Sequence, residues 1–72
     1  MPRKDAIRLE GRVVEMLSER TFRVELANGH QVLAFIMRRD VPVLAGLTPG
    51  QQVVLEMTPY DMSKGRIVER SS

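Results

Sequence analysis

Apolar and polar positions alternate along this chain in five short runs with the period of β-structure. The first spans Ile7 to Leu17: Ile7, Leu9, Gly11 and Val13 share one face, and Arg8, Glu10 and Arg12 share the other. Past Val13 the alternation loses phase, because Val14 and Met16 put apolar side chains on the formerly polar face. A strand that crosses from one side of a barrel to the other needs such a change. Gly11 inside the run fits a bend at a barrel corner better than a flat sheet. Leu17 to Thr21 then reads as an exposed, charged loop.

Phe22, Val24 and Leu26 alternate with Arg23 and Glu25, which makes a half-buried second strand. Ala27-Asn28-Gly29-His30 is the strongest hairpin signal in the chain. Two registers compete there. A two-residue Asn28-Gly29 turn sets Val24 opposite Leu33 and Phe22 opposite Phe35, and buries Gln31 beside Leu26. A three-residue loop with Gly29 in the left-handed bulge position sets Val24 opposite Val32 and Phe22 opposite Ala34, with His30 buried or at the rim. The bulged register is preferred, because Val32, Ala34 and Ile36 then fill the core. It turns Leu33 and Phe35 to the outer face beside Arg23. There Phe35 either stacks a nucleobase, worth about 1–3 kcal/mol per base, or rests under a loop or in the core.

Met37 to Gly50 is a long connection. Asp40 is a good N-cap, Pro42 suits a first turn and Gly46 can end a short helix, so one or two turns are expected around Val41 to Ala45. Val43, Leu44 and Leu47 are expected to plug one end of the barrel. Thr48-Pro49-Gly50 is a turn. Gln52 to Met57 gives a fourth strand, with Val53, Leu55 and Met57 inward and Glu56 outward. Pro59 lacks an amide donor and stops the ladder. Asp61, Ser63 and Gly65 suit a compact turn. The fifth strand is expected from Gly65 to Arg70. Lys64 and Arg66 alternate with Gly65 and Ile67, which places both cations on one face.

These elements describe one all-β domain over residues 1–72, with residues 1–5 and 70–72 expected to be flexible. The architecture they suggest is a five-stranded OB-fold Greek-key barrel with a short helix between strands 3 and 4. Closure protects the edges that an open sheet of this size exposes. Small five-stranded barrels of other topology share the same pattern.

Seventy-two residues allow one domain, which buries only about 60% of its unfolded surface and leaves little room for a deep catalytic pocket. Cysteine is absent and His30 is the single histidine, so thiolate chemistry, disulfides and histidine metal clusters are out of reach. Glu56 and Asp61 are the nearest thing to paired carboxylates, and nothing positions a substrate beside them. Phosphate-loop patterns are missing. Neither an enzyme, nor a metal, nor a cofactor is expected. No apolar run approaches the roughly 20 residues of a membrane span, and no signal peptide is visible, so a soluble, cytoplasmic protein with no membrane contact is expected.

Charge changes the picture modestly and its chemistry more so. The net charge is +2, but nine of the eleven cations are arginine, whose planar fork matches phosphate oxygens in pairs and stacks on bases. OB-folds bind oligonucleotides across strands 2 and 3 and through the loops joining strands 1 to 2 and 4 to 5. Those regions contain Arg20, Arg23, Phe35, Tyr60, Lys64 and Arg66. Arg38 and Arg39 lie just beyond strand 3, and Arg70 extends the last strand. Tyr60 either stacks on a base or covers the barrel edge. Lys64 and Arg66 are the stronger candidates for phosphate contact.

The run Thr58-Pro59-Tyr60-Asp61, followed by Ser63-Lys64-Gly65-Arg66-Ile67, resembles the C-terminal signature of bacterial translation initiation factor one. The similarity extends to Phe22-Arg23-Val24-Glu25-Leu26, to Asn28-Gly29-His30, and to Ile7, Gly11, Val13, Glu15 and Leu17. It covers nearly the whole chain. Arg23, His30, Tyr60, Asp61, Lys64 and Arg66 stand where that family has the same residue types. The resemblance implies a monomeric, cofactor-free factor that binds the small ribosomal subunit in the decoding region, at the acceptor-tRNA site. It also implies contacts with 16S-type ribosomal RNA and a ribosomal protein, and action alongside other initiation factors.

Met37 to Leu47 departs from the family, which shows a basic, RNA-facing run after strand 3. Here Met37-Arg38-Arg39-Asp40-Val41-Pro42-Val43 has fewer cations, one acid and an apolar continuation. Each lost phosphate contact removes a salt slope of about 0.7–0.9. A second expectation follows from that segment: a divergent, chimeric or engineered OB-fold scaffold or protein-interaction domain with weakened RNA binding, using Val43 or Leu44 as partner surface.

Overall fold

One long strand is shared by two partners. In the computed structural model, which describes residues 7–44, 46–58 and 61–71, β1 (Ile7–Met16) pairs antiparallel with β4 (Gln52–Thr58) over Ile7 to Arg12 and with β2 (Thr21–Leu26) over Gly11 to Met16. β3 (Gln31–Phe35) continues antiparallel from β2, and β5 (Asp61–Arg70) runs parallel to β3 and antiparallel to β4. The order β1-β2-β3-β5-β4 closes into a barrel. This is the OB-fold arrangement, with the parallel β3–β5 pair reached through a crossover that contains a short helix.

Gly11 sits where β1 passes from one partner to the other, opposite both Leu26 and Val53. A Cβ there would stand 2.5 Å from Val24 Cγ1 and 3.1 Å from the Glu25 carbonyl oxygen, so close strand approach requires glycine. The loss of phase after Val13 is a β-bulge. Val13 pairs with Val24 and Glu15 with Arg23, which leaves Val14 as the extra residue. After it, Glu15 lies on the outer face, and Met16 stands opposite Phe22 at the barrel end. β1 stops at Met16, one residue short of the expected Leu17, because the Leu17 and Ser18 amides both turn to the Thr21 carbonyl.

The hairpin adopts the bulged register: Val24 faces Val32, and Phe22 faces Ala34. Gly29 has φ +85°, its amide donates to Leu26 O, and the Leu26 amide donates to His30 O. The Asn28 side chain accepts the His30 amide at 2.9 Å, an Asx-type bond that sets the turn, and His30 is exposed.

The core gathers Val13, Phe22, Val24, Leu26, Val32, Ala34, Ile36, Leu44, Leu47, Val53, Leu55, Met57 and Ile67. Among the described residues no polar or charged side chain is buried with them. After β3, a 3-10 turn (Arg38–Asp40) leads into α1 (Val41–Leu44), and Gly46 follows at φ +86°. Leu44 and Leu47 enter the core as expected, but Val43 does not: it is 76% exposed. Successive helical positions point about 100° apart, so a single turn that buries Leu44 turns its neighbour to water.

The last strand begins earlier than the sequence suggested. β5 starts at Asp61, and Gly65 lies inside it, buried, with no positive φ. Its pairing on both sides, with Ala34 and near Leu55 and Met57, outweighs the local turn chemistry. A Cβ on Gly65 would stand 3.0 Å from Met57 Cγ, so the position is chosen for space. β4 likewise runs one residue further, to Thr58. β5 ends at Arg70, as expected, where Arg70 pairs with Val53, and the Ser71 amide donates to Gln52 O at 3.0 Å. The expected fraying of residues 1–5 and the turn residues Pro59 and Tyr60 lie outside the described residues. Among those described, no helix is long and apolar enough to cross a membrane.

Candidate nucleic-acid interface

Outward side chains of β2, β3 and β5 form two rows across the barrel wall. Arg23 pairs in register with Leu33, and Leu33 with Lys64. In the next row Thr21 pairs with Phe35, Phe35 with Arg66, and Arg66 with Glu56. The alternation that buries Val32, Ala34, Gly65 and Ile67 is what turns these residues outward. Leu33 remains 42% exposed and Phe35 39%, a two-residue apolar strip between flanking cations.

The loop between β1 and β2 folds against one end of this strip, where the Ile36 amide donates to Arg20 O at 2.9 Å. Ser18, Glu19, Arg20, Thr21, Phe35 and Ile36 line a depression of about 440 Å³ there, with one acid and one base at its rim. Arg38 and Arg39 follow β3 directly and are exposed. A flat aromatic face, an adjoining hollow and nearby guanidinium groups suit an unstacked nucleobase with its phosphates.

The cations fall into two groups. Arg20, Arg38, Arg39 and Lys64 meet no carboxylate among the described residues. The others are engaged. Arg23 Nη1 donates to Glu15 Oε1 at 3.0 Å, an exposed pair of the kind worth about 0.2–1 kcal/mol and readily exchanged for phosphate. Arg12 stands 3.6 Å from Glu25. Arg66 Nη2 donates to Glu56 Oε1 at 2.8 Å, and its Nη1 lies 3.8 Å from Asp40 Oδ2. Arg70 Nη2 donates to the Val43 carbonyl at 3.4 Å.

Of the residues expected at an RNA site, then, Arg23, Phe35, Lys64 and Arg66 share one outer face, with Arg38 and Arg39 at its end. Tyr60 lies outside the described residues. Arg66 is the most enclosed cation of the group, with its side chain 26% exposed. Sequence reasoning placed Leu33 and Arg20 in this region without assigning them a role, and it missed the Asp40–Arg66 contact. Only the Glu56–Arg66 half of that cluster had a signal, two opposite charges facing outward on neighbouring strands.

Of the two carboxylates weighed in the sequence, Glu56 is held by Arg66 and Arg8. The side chain of Asp61 lies outside the described residues. Among the described residues no three His, Cys, Asp or Glu side chains group as metal ligands.

No protein-family model matches the chain. The solution structure of translation initiation factor one from the Wolbachia endosymbiont strain TRS of Brugia malayi does match, at 31% identity, over 96% of this chain and 82% of that one, with a TM-score of 0.74. The chain belongs to the translation initiation factor one family. On this barrel the runs that carry the resemblance have definite places. Phe22 to Leu26 is β2, Asn28 to His30 is the bulged turn, and Ser63 to Ile67 is the part of β5 that lies beside β3. Met37 to Leu47, the segment expected to depart from the initiation factor one family, contains the 3-10 turn and α1, which carry Arg38, Arg39 and the outward Val43.

Proposed function

We propose that this protein is a cytoplasmic translation initiation factor that binds the small ribosomal subunit at the decoding and acceptor-tRNA site, through contacts with 16S-type ribosomal RNA and a ribosomal protein. It acts as a monomer with other initiation factors and performs no catalysis. The observation that carries this reading is the outer face of β2, β3 and β5, where Leu33 and Phe35 are bordered by Arg20, Arg23, Arg38, Arg39 and Lys64. Phosphate is the ligand that so many guanidinium groups around an aromatic would select. Family membership supports the identity of the RNA. Phe35 supplies stacking, Lys64 and the Arg38–Arg39 pair supply phosphate contacts, and Arg23 joins them on leaving Glu15. Tyr60 completes the candidate set by family resemblance and Arg70 by its place at the end of the last strand, while Arg66 is held between Glu56 and Asp40.

The experiment is competition with an authentic initiation factor one for isolated small subunits, repeated over a range of salt. The chain is expected to displace the factor. Its log affinity is expected to fall linearly with log salt, and Lys64→Ala is expected to reduce that slope by about 0.7–0.9. Absence of binding at low salt would sink the reading. The exposed Val43 favours one alternative, an OB-fold protein-interaction domain. No RNA binding together with a concentration-dependent oligomer that Val43→Ser abolishes would support it.

A further inference from the structure

Asp40 ends the 3-10 turn that carries Arg38 and Arg39, and its Oδ2 lies 3.8 Å from Arg66 Nη1 on β5. The other terminal nitrogen of Arg66 donates to Glu56 Oε1 at 2.8 Å. Glu56 Oε2 is 4.0 Å from Arg8 Nε, and Arg8 Nη1 reaches Glu69 Oε2 at 3.9 Å. Five side chains thus alternate in sign from the turn, across β5 and β4, to β1 and back to the end of β5. Both terminal nitrogens of Arg66 face a carboxylate, so a phosphate at Arg66 would compete with two negative charges already beside it. Arg38 and Arg39 have no such partner among the described residues and point from a three-residue turn, a unit with weak hydrogen-bond geometry of its own. An ion pair at the end of that turn restricts it from the barrel side.

We propose that Asp40 and Arg66 are positioning residues: their ion pair fastens the 3-10 turn to the barrel wall so that Arg38 and Arg39 present to phosphate, and Arg66 makes no phosphate contact itself. The ligand in this inference rests on the ribosome-binding reading above, whereas the tie between turn and wall does not. Asp40 lies in Met37 to Leu47, the segment that the sequence reading expects to depart from the family.

The test uses the full chain with Asp40→Asn and Arg66→Gln, singly and together, and two readouts. The first is amide hydrogen exchange at Asp40 and Val41, whose N–H groups close the turn on the Met37 and Arg38 carbonyls. Exchange there is expected to quicken about 2- to 5-fold in each single variant and no further in the double variant. The second is affinity for isolated small ribosomal subunits across salt concentrations. Asp40→Asn is expected to weaken binding by a similar factor while the slope of log affinity against log salt stays as it was, because no phosphate contact is lost. A structural defect alone would not preserve that slope together with the non-additive exchange.

If Arg66 were a phosphate ligand, Asp40→Asn would release it. Binding would then tighten and the slope would steepen by about 0.7–0.9, which overturns the proposal. Unchanged exchange at Asp40 and Val41 overturns it too, as does faster exchange with unaltered subunit affinity. Should Arg66→Gln fail to fold, Asp40→Asn decides the matter, since the Asp40 side chain is 32% exposed and is not part of the buried core. If the unaltered chain does not bind small subunits, the ribosome reading falls, and exchange alone then decides whether the tie exists.

Discussion

Arg66 on β5 and Glu56 on β4 stand opposite one another in register, with Arg66 Nη2 2.8 Å from Glu56 Oε1. Each side chain is roughly a quarter exposed, at 26% and 28%, so the pair is shielded more than a freely solvated one. A double-mutant cycle with Arg66→Gln and Glu56→Gln is expected to give a coupling of about 1–2 kcal/mol in urea unfolding. The same cycle on Arg23 and Glu15, a pair of similar geometry in open solvent, is expected to give only about 0.2–0.5 kcal/mol. Equal couplings would show that shielding at the β4–β5 wall contributes nothing.

The two interior glycines should differ in cost. A Cβ at Gly11 meets Val24 Cγ1 at 2.5 Å and backbone at 3.1 Å, with no flexible group to give way. Gly11→Ala is therefore expected to destabilise the barrel by about 1–3 kcal/mol. At Gly65 the nearest atom, at 3.0 Å, belongs to Met57, an unbranched side chain that can shift. Gly65→Ala is expected to cost less than Gly11→Ala in the same urea series. The reverse order would mean that the β3–β5 crossing is the tighter one.

What the sequence could reveal follows from the range of the forces involved. The hairpin register was legible because burial of Val32, Ala34 and Ile36 and the left-handed Gly29 agree locally. The inward Val53, Leu55 and Met57 were legible for the same reason: period-two alternation with one buried face. The start of β5 was not legible. Asp61, Ser63 and Gly65 carry turn chemistry, and only the partners on either side, about 30 residues upstream in β3 and across the hairpin in β4, draw them into a strand. At the interface, alternation told which cations face outward. It could not tell which are already paired, because Asp40 reaches Arg66 through tertiary structure alone.

The crossover offers a second contrast. Leu44 is in the core, at 2% exposure, while its neighbour Val43 is 76% exposed. Leu44→Ala is expected to destabilise by about 2–5 kcal/mol, and Val43→Ser to change stability by less than about 0.5 kcal/mol. Thermal unfolding of both variants checks this. A large loss with Val43→Ser would mean that Val43 is covered in solution, as a partner surface would be.

Phe22 and Phe35 separate stability from binding. Phe22 is buried opposite Ala34 on the inner face, whereas Phe35 is 39% exposed on the outer face, between Thr21 and Arg66. Truncating Phe22 to alanine leaves a cavity in a core to which thirteen of the described residues belong, and a loss of about 3–5 kcal/mol is expected, enough to unfold much of so small a domain. Truncating Phe35 opens no cavity, so its stability cost is expected to stay below about 1 kcal/mol. Stacking on a base would cost the complex about 1–3 kcal/mol when lost, a drop in RNA affinity of about 5- to 150-fold. Phe35→Trp keeps a flat face and is expected to retain affinity, while Phe35→Leu keeps apolar area without the ring and is expected to lose most of it. Should leucine bind as well as phenylalanine, the residue contributes apolar area and not stacking, and the nucleobase would have to lie elsewhere on the strip, over Leu33 or in the hollow beside Arg20.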